Sequence, residues 1–107
     1  MSDFKPDPMR IRAQLKGDAV EVKVLMAHPM ETGLRKDSSG KLVPAHYIEK
    51  VTATCKGKTV LTADWGPAVS KNPFLAFRFK GGAKGDKVSI TWKDTLNASR
   101  TDSTEVR

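Results

Sequence analysis

A chain of 107 residues with 38% hydrophobic side chains forms one domain with a single core, large enough to bury roughly two-thirds of the surface its unfolded form exposes. Eight glycines are spread along it without a low-complexity tract, which excludes a disordered or fibrous chain. The net charge of +7 suits either an acidic partner surface or plain solubility, and it bears on association rather than fold.

In chain order, residues 1–8 carry Pro6 and Pro8 and read as a flexible tail ahead of a single domain over 9–107. The start MSDFKPDPMR has Asp3 where a secretory leader would be basic, and no apolar stretch follows, so on its own it points to a cytoplasmic chain. The longest apolar run, Val24 to Ala27, is far short of the roughly 20 residues of a membrane helix, and no membrane insertion is expected.

From Met9 onward the dominant signal has period two, the spacing that sends successive side chains to opposite faces of a sheet. Met9, Ile11, Ala13 and Leu15 alternate with basic and polar residues up to the Gly17-Asp18 turn. Val20, Val22, Val24 and Met26 make a second half-buried strand. A long interruption follows, from His28 to His46, holding both histidines, Pro29, Pro44 and the Arg35-Lys36-Asp37 charge cluster. Loops longer than about 12 residues inside compact domains are uncommon and usually functional or disordered. Strands resume over Tyr47 to Lys56, with Val51, Ala53 and Cys55 inward, and over Thr59 to Trp65, with Leu61, Ala63 and Trp65 inward. Phe74 to Lys80 turns Leu75, Phe77 and Phe79 to the core, and Gly81 to Asp86 reads as a flexible hairpin loop. Val88, Ile90 and Trp92 face one way on the next strand, and the polar stretch Ser99 to Val106 fits an edge strand.

About seven short antiparallel strands with turn signals at this spacing predict an all-β, immunoglobulin-like β-sandwich. An up-and-down barrel buries alternate residues in the same way and stands as the second architecture. Trp65 and Trp92 are the candidate aromatic plugs of the core.

Two His, one Cys and several Met on such a sandwich raise a blue-copper site, whose His and weak Met ligands follow the Cys closely. Nothing after Cys55 is a His or a Met, and His28 and His46 lack the short spacing of zinc motifs, so neither a metal nor another cofactor is expected. Cys55 shares a face with Val51 and Ala53 and reads as a core thiol rather than a nucleophile. Ser70, followed by Lys71, lacks the strand-turn-helix elbow that exposes a nucleophilic serine, so no catalytic residue is assigned. The basic and aromatic mixture over Lys71 to Lys80 keeps a nucleic-acid-binding module open as the alternative class. Register argues against it, because Phe77 and Phe79 fall on the core face while Arg78 and Lys80 face outward.

Several pieces together resemble the SoxZ family: Met9 to Ala13, Lys23 to Asp37, Gly40 to Pro44, and Ser70 to Phe74, in the family's order and spacing. The resemblance implies an immunoglobulin-like fold and a non-catalytic subunit of the SoxYZ carrier of bacterial thiosulfate oxidation. It implies a heterodimer with a SoxY-like subunit, whose carboxyl-terminal Gly-Gly-Cys-Gly-Gly arm carries covalent sulfur intermediates. This chain ends Asp102 to Arg107 without such an arm, as expected of the non-carrying subunit. The resemblance also implies transient contact with other Sox enzymes, no nucleic-acid partner, and homodimers as a possible state of the isolated chain. It places the chain in the periplasm by co-export with a signal-bearing partner, against the cytoplasmic reading of the amino terminus. The partner-binding residues it suggests are His28, Pro29, Met30, Glu31, Thr32, Gly33, Leu34, Arg35 and Lys36 from the long loop, with Lys71, Asn72, Pro73 and Phe74. Met30 suits a core end or an adaptable interface equally well, since its side chain is flexible and apolar.

Overall fold

The computed structural model describes residues 5–107, so the first half of the expected tail, residues 1–4, lies outside the described residues. Seven antiparallel strands form: β1 (Arg10–Lys16), β2 (Ala19–Leu25), β3 (Ile48–Cys55), β4 (Lys58–Asp64), β5 (Phe74–Lys80), β6 (Lys87–Asp94) and β7 (Ser99–Glu105). Two sheets result, one in the order β1-β2-β5 and the other β4-β3-β6-β7. This is the expected immunoglobulin-like sandwich.

Alternation places the core where the sequence predicts it. Val20, Val22 and Val24 of β2 face Val51 and Ala53 of β3 and Val88, Ile90 and Trp92 of β6, all essentially without exposure. Each such valine contributes roughly 2 kcal/mol by leaving water. Trp92 is the largest fully buried side chain, so it is the plug. Trp65, the other candidate, is only half-buried, as are Leu61 and Ala63 beside it. The reason is topological: β4 and β5 each lie at one edge of their sheets, and among the described residues no further strand pairs beyond Leu61, Ala63, Leu75, Phe77 or Phe79.

The opposite side of the sandwich is stitched shut. Beyond β7, Val106 is buried, Arg107 N–H donates to the Ala13 carbonyl at 3.0 Å, and the Arg107 carbonyl accepts from Leu15 at 2.8 Å. The β5–β6 connection departs from the flexible loop expected of it. Asp86 accepts from Ala83 N–H at 2.9 Å, and Asp86 and Gly85 exchange backbone bonds with Val106. Gly82 lies so close to the core that a Cβ there would stand 2.6 Å from Val20 Cγ2. Residues 5–8 form no strand, though the Pro6 carbonyl accepts from Arg100 at 3.5 Å and Met9 N–H donates to Asp102 at 2.8 Å.

Candidate functional site

The β2–β3 connection is built from the core outward. Period two continues past β2 to Met26 and carries His28 to the inner side, where it is 2% exposed. The same alternation on β6 runs Val88, Ile90, Trp92 and then Asp94, fully buried at the strand's end. His46, at the far end of the connection, is also buried. Asp94 Oδ2 accepts from His28 Nε2 at 3.0 Å and from His46 Nε2 at 2.6 Å. Its Oδ1 accepts from the backbone N–H groups of Leu96 and Ala98 at 3.0 and 2.8 Å. The two imidazoles meet edge to face at 4.6 Å, and the His28 ring stands at 87° to Trp92. One carboxylate therefore holds both ends of the long connection against the core.

A buried carboxylate is costly unless its acceptor sites are filled, and here both oxygens are. Burial pushes the Asp94 pKa up, but the bonds from His28, His46 and the two N–H groups outweigh it and hold the carboxyl below its ordinary range. Burial has the largest effect on His28 and lowers its pKa, and the Asp94 hydrogen bond opposes this without overcoming it.

Two imidazoles and a carboxylate, with ligand atoms within 4.8 Å of one another, are also a set a transition metal accepts. The hydrogen bonds oppose that use. Met30 N–H donates to His28 Nδ1 at 3.1 Å, so the network assigns the neutral ring's proton to Nε2, pointing at Asp94. A metal on Nε2 would require that proton on Nδ1, facing another donor. The arrangement is a hydrogen-bonded clamp.

Above the clamp the connection is ordered by pairing as well as by Pro29 and Pro44. Glu31 and His46 exchange two backbone bonds of 2.7 and 2.9 Å, Val43 N–H reaches the Arg35 carbonyl, and Asp37 N–H reaches that of Lys41. Asp37 closes the tip by accepting from the backbone of Ser39 and Lys41 and from the Ser39 hydroxyl. Arg35 Nε donates to both Glu31 oxygens at 3.0 Å. Gly33 takes φ +87°, and an added Cβ would meet the Ala45 Cβ at 3.1 Å, so the two limbs are in contact.

Lys71 to Phe74 joins the base of this excursion. His28 N–H donates to Asn72 Oδ1 at 3.0 Å while Asn72 N–H donates to the His28 carbonyl at 2.9 Å, and Met26 N–H bonds the Pro73 carbonyl. Asn72 and Met30 both sit in the left-handed region, at φ 52° and 50°. A non-glycine residue holds that conformation where its surroundings over-determine it. For Met30 they do, since its N–H is tied to His28 and its sulfur accepts from Ile48 N–H at 3.3 Å.

The structure thus divides the residues that the resemblance suggests. His28, Met30 and Pro73 are buried and position the backbone; Met30 belongs to the core end. Pro29 and Gly33 are half-covered, and Glu31 spends its carboxylate on Arg35. Thr32, Leu34, Arg35, Lys36, Lys71, Asn72 and Phe74 are exposed, Leu34 at 82% and Phe74 at 62%. Arg35 and Lys36 stand on the excursion, whereas Lys71 and Asn72 line an open depression together with Pro29 and Asp7. Asp94 is the functional residue that motif reading misses. The signal available for it is a carboxylate continuing the inward register of Val88, Ile90 and Trp92.

Cys55 is buried, with its sulfur 4.0 Å from Asp86 Oδ2. Burial, then the Asp86 charge, raise its thiol pKa. It is a core thiol.

The sequence profile described as "Sulphur oxidation protein SoxZ" matches residues 9–105. No curated protein matches the chain. Among solved structures, a hypothetical protein from Pyrococcus horikoshii OT3 aligns with TM-score 0.64 at 18% identity, covering 99% of this chain and 93% of that one. A superoxide reductase in the oxidised state aligns with TM-score 0.65 at 16% identity, covering 100% and 93%. A superoxide reductase (neelaredoxin) from Ignicoccus hospitalis aligns with TM-score 0.61 at 15% identity, covering 95% and 80%. At such identities these likenesses concern the sandwich fold alone.

Proposed function

The chain belongs to the SoxZ family, and with it to the sulfur-oxidation Sox system; from that premise we propose that it is the non-catalytic, non-carrying subunit of a SoxYZ sulfur carrier in the periplasm. It binds a SoxY-like subunit whose carboxyl-terminal cysteine holds the sulfur intermediate, and it supports that subunit during transient visits to other Sox enzymes.

The observation that carries this reading is the state of Cys55. It is the one cysteine of the sequence, and it is buried with a raised thiol pKa. Covalent sulfur chemistry needs an accessible thiolate, which a buried, acid-flanked thiol does not provide. In a system whose cargo is covalent sulfur, the carrying sulfur then resides on another chain. The clamp supports a binding role as well, because a connection pinned at both ends loses little freedom on association.

The test is co-expression with a SoxY-like protein followed by gel filtration. A single heterodimer peak is expected, and two separate peaks at micromolar concentration would remove the reading.

A further inference from the structure

The outer faces of the two sheets differ in chemistry. On the three-stranded sheet, whose strands carry Arg10, Arg12, Lys16, Lys23, Arg78 and Lys80, Glu21 is the single carboxylate, and it ion-pairs with Arg78 at 2.8 Å, Lys16 at 3.4 Å and Lys23 at 3.7 Å. On the four-stranded sheet, strand register lines up two rows of hydroxyls. Thr62, Thr52, Thr91 and Thr101 lie opposite one another across β4, β3, β6 and β7. Thr59, Thr54, Ser89 and Ser103 form the next row. The Thr91 and Thr101 hydroxyls bond each other at 2.9 Å and those of Ser89 and Ser103 at 2.8 Å. Each pair spends one hydroxyl donor within the face, leaving the other hydroxyls and the threonine methyls to meet a partner.

In a chain with 29% charged residues, two adjacent rows across four strands contain no charge. Threonine is a good strand former, which accounts for its presence but not for the missing Lys and Glu. Depletion of charged residues at the centre of a patch is one mark of an interface. Short hydroxyl side chains also lose little rotamer freedom when covered. Four strands about 4.8 Å apart and seven residues long present roughly 400 Å2, about half of one side of a standard interface.

We propose that the hydroxyl face of the β4-β3-β6-β7 sheet is the docking surface for the sulfur-carrying partner subunit, which meets it with a flat uncharged patch of its own bordered by acidic residues. The proposal rests on the carrier reading above and names the surface that serves it. Charge complementarity selects the occupant. The rim here holds Lys50 and Lys93 at one end and Lys56 and Lys87 at the other, against Glu49, Asp64 and Glu105. A second copy would oppose one net positive rim to another, whereas a partner with acidic residues at its margin is attracted and oriented.

The test uses the full chain co-expressed with its SoxY-like partner. Thr52→Arg with Thr91→Arg puts two charges at the centre of the face, and Arg12→Glu with Lys23→Glu reverses charge on the opposite sheet. The first pair is expected to weaken the complex by about 100-fold or more, as buried unpaired charges do, and the second by less than about threefold. A complex that tolerates the arginines, in a variant with native circular dichroism, overturns the docking surface and leaves the carrier reading intact. A wild-type chain that binds no partner overturns both. Hydrogen exchange on the wild-type complex needs no variant: new protection is expected along β7, and protection confined to β1, β2 and β5 overturns the proposal. Isolated chains that dimerise through this face and release no surface to the partner overturn it too.

Discussion

His46 and Asp94, 48 residues apart in the chain, meet inside the sandwich through Nε2 and Oδ2 at 2.6 Å, and that contact closes the loop which His28 opens. The long connection is therefore cross-linked to β6 at both ends by a single carboxylate. Replacing Asp94 with Ala removes the carboxylate that accepts from two buried imidazole N–H groups and two backbone N–H groups. The expected loss is about 3 kcal/mol, read as a lower urea midpoint with the slope unchanged. Asp94→Asn keeps a carbonyl for Leu96 and Ala98 but sets an NH2 against His28 Nε2–H, so it recovers only part of the loss. A midpoint unmoved by either change would show that the clamp does not stabilise the fold.

Acid destabilisation should begin earlier than carboxylate titration alone would produce. The His28 pKa is lowered in the fold, so the unfolded chain binds more protons below its ordinary value of about 6.5. The stability from neutral His28 is complete above that pH and is lost as pH falls towards the folded value. Asp94 is lowered as well, so its contribution is complete above about pH 4 and lost as pH falls through its depressed folded value. Unfolding free energy is expected to hold level from pH 8 to 7, decline through pH 6 and fall again below 4. In His28→Gln the first decline should flatten; an unchanged decline would assign it to another group.

The period-two pattern made the strands and most of the core legible, because each buried face repeats locally, as in Val20, Val22 and Val24. It overstated the burial of Trp65, Leu61 and Phe79, since whether a strand is central or outer depends on sheet order. The clamp was not legible for a related reason. His28 and His46 meet through Asp94, which lies 66 and 48 residues away, and no local spacing encodes that convergence. The threonine rows were visible only as separate polar positions on four strands. Their alignment required the register Thr62, Thr52, Thr91, Thr101 and the order in which the strands pair.

Cys55 gives a chemical probe of global opening. Its burial and raised pKa predict resistance to iodoacetamide in the native state and rapid reaction in denaturant. Labelling in native buffer should follow the population of the unfolded form, so Asp94→Ala should accelerate it. Fast labelling of the native wild type would contradict the placement of the thiol.

Gly82 tests the packing of the β5–β6 connection. A methyl group there would press on Val20 Cγ2 at 2.6 Å and on Phe79 Cε2 at 3.1 Å, and Val20 is fully buried and stiff at χ1. Gly82→Ala should cost about 1–3 kcal/mol by overpacking. Gly66→Ala, where a Cβ meets nothing within 4 Å and φ is not positive, should stay within about 0.5 kcal/mol of the parent. Equal midpoints for the two variants would mean that the connection yields without cost.

Arg35 separates a recognition role of the excursion from a structural one. Its guanidinium is exposed, pairs with Glu31 four residues back, and is held firmly protonated by that hydrogen bond. The pairing sits above the clamp rather than within it, so Arg35→Ala should leave the unfolding midpoint close to that of the parent. If Arg35 and Lys36 steer an acidic partner, Arg35→Ala with Lys36→Ala should slow association and reduce its dependence on ionic strength, with little change in dissociation rate. Stopped-flow association at about 50 and 300 mM salt measures both quantities, a range over which the Debye length falls by more than half. An association rate and salt slope equal to those of the parent would place the steering charges elsewhere, on the Lys50 and Lys93 margin of the hydroxyl face.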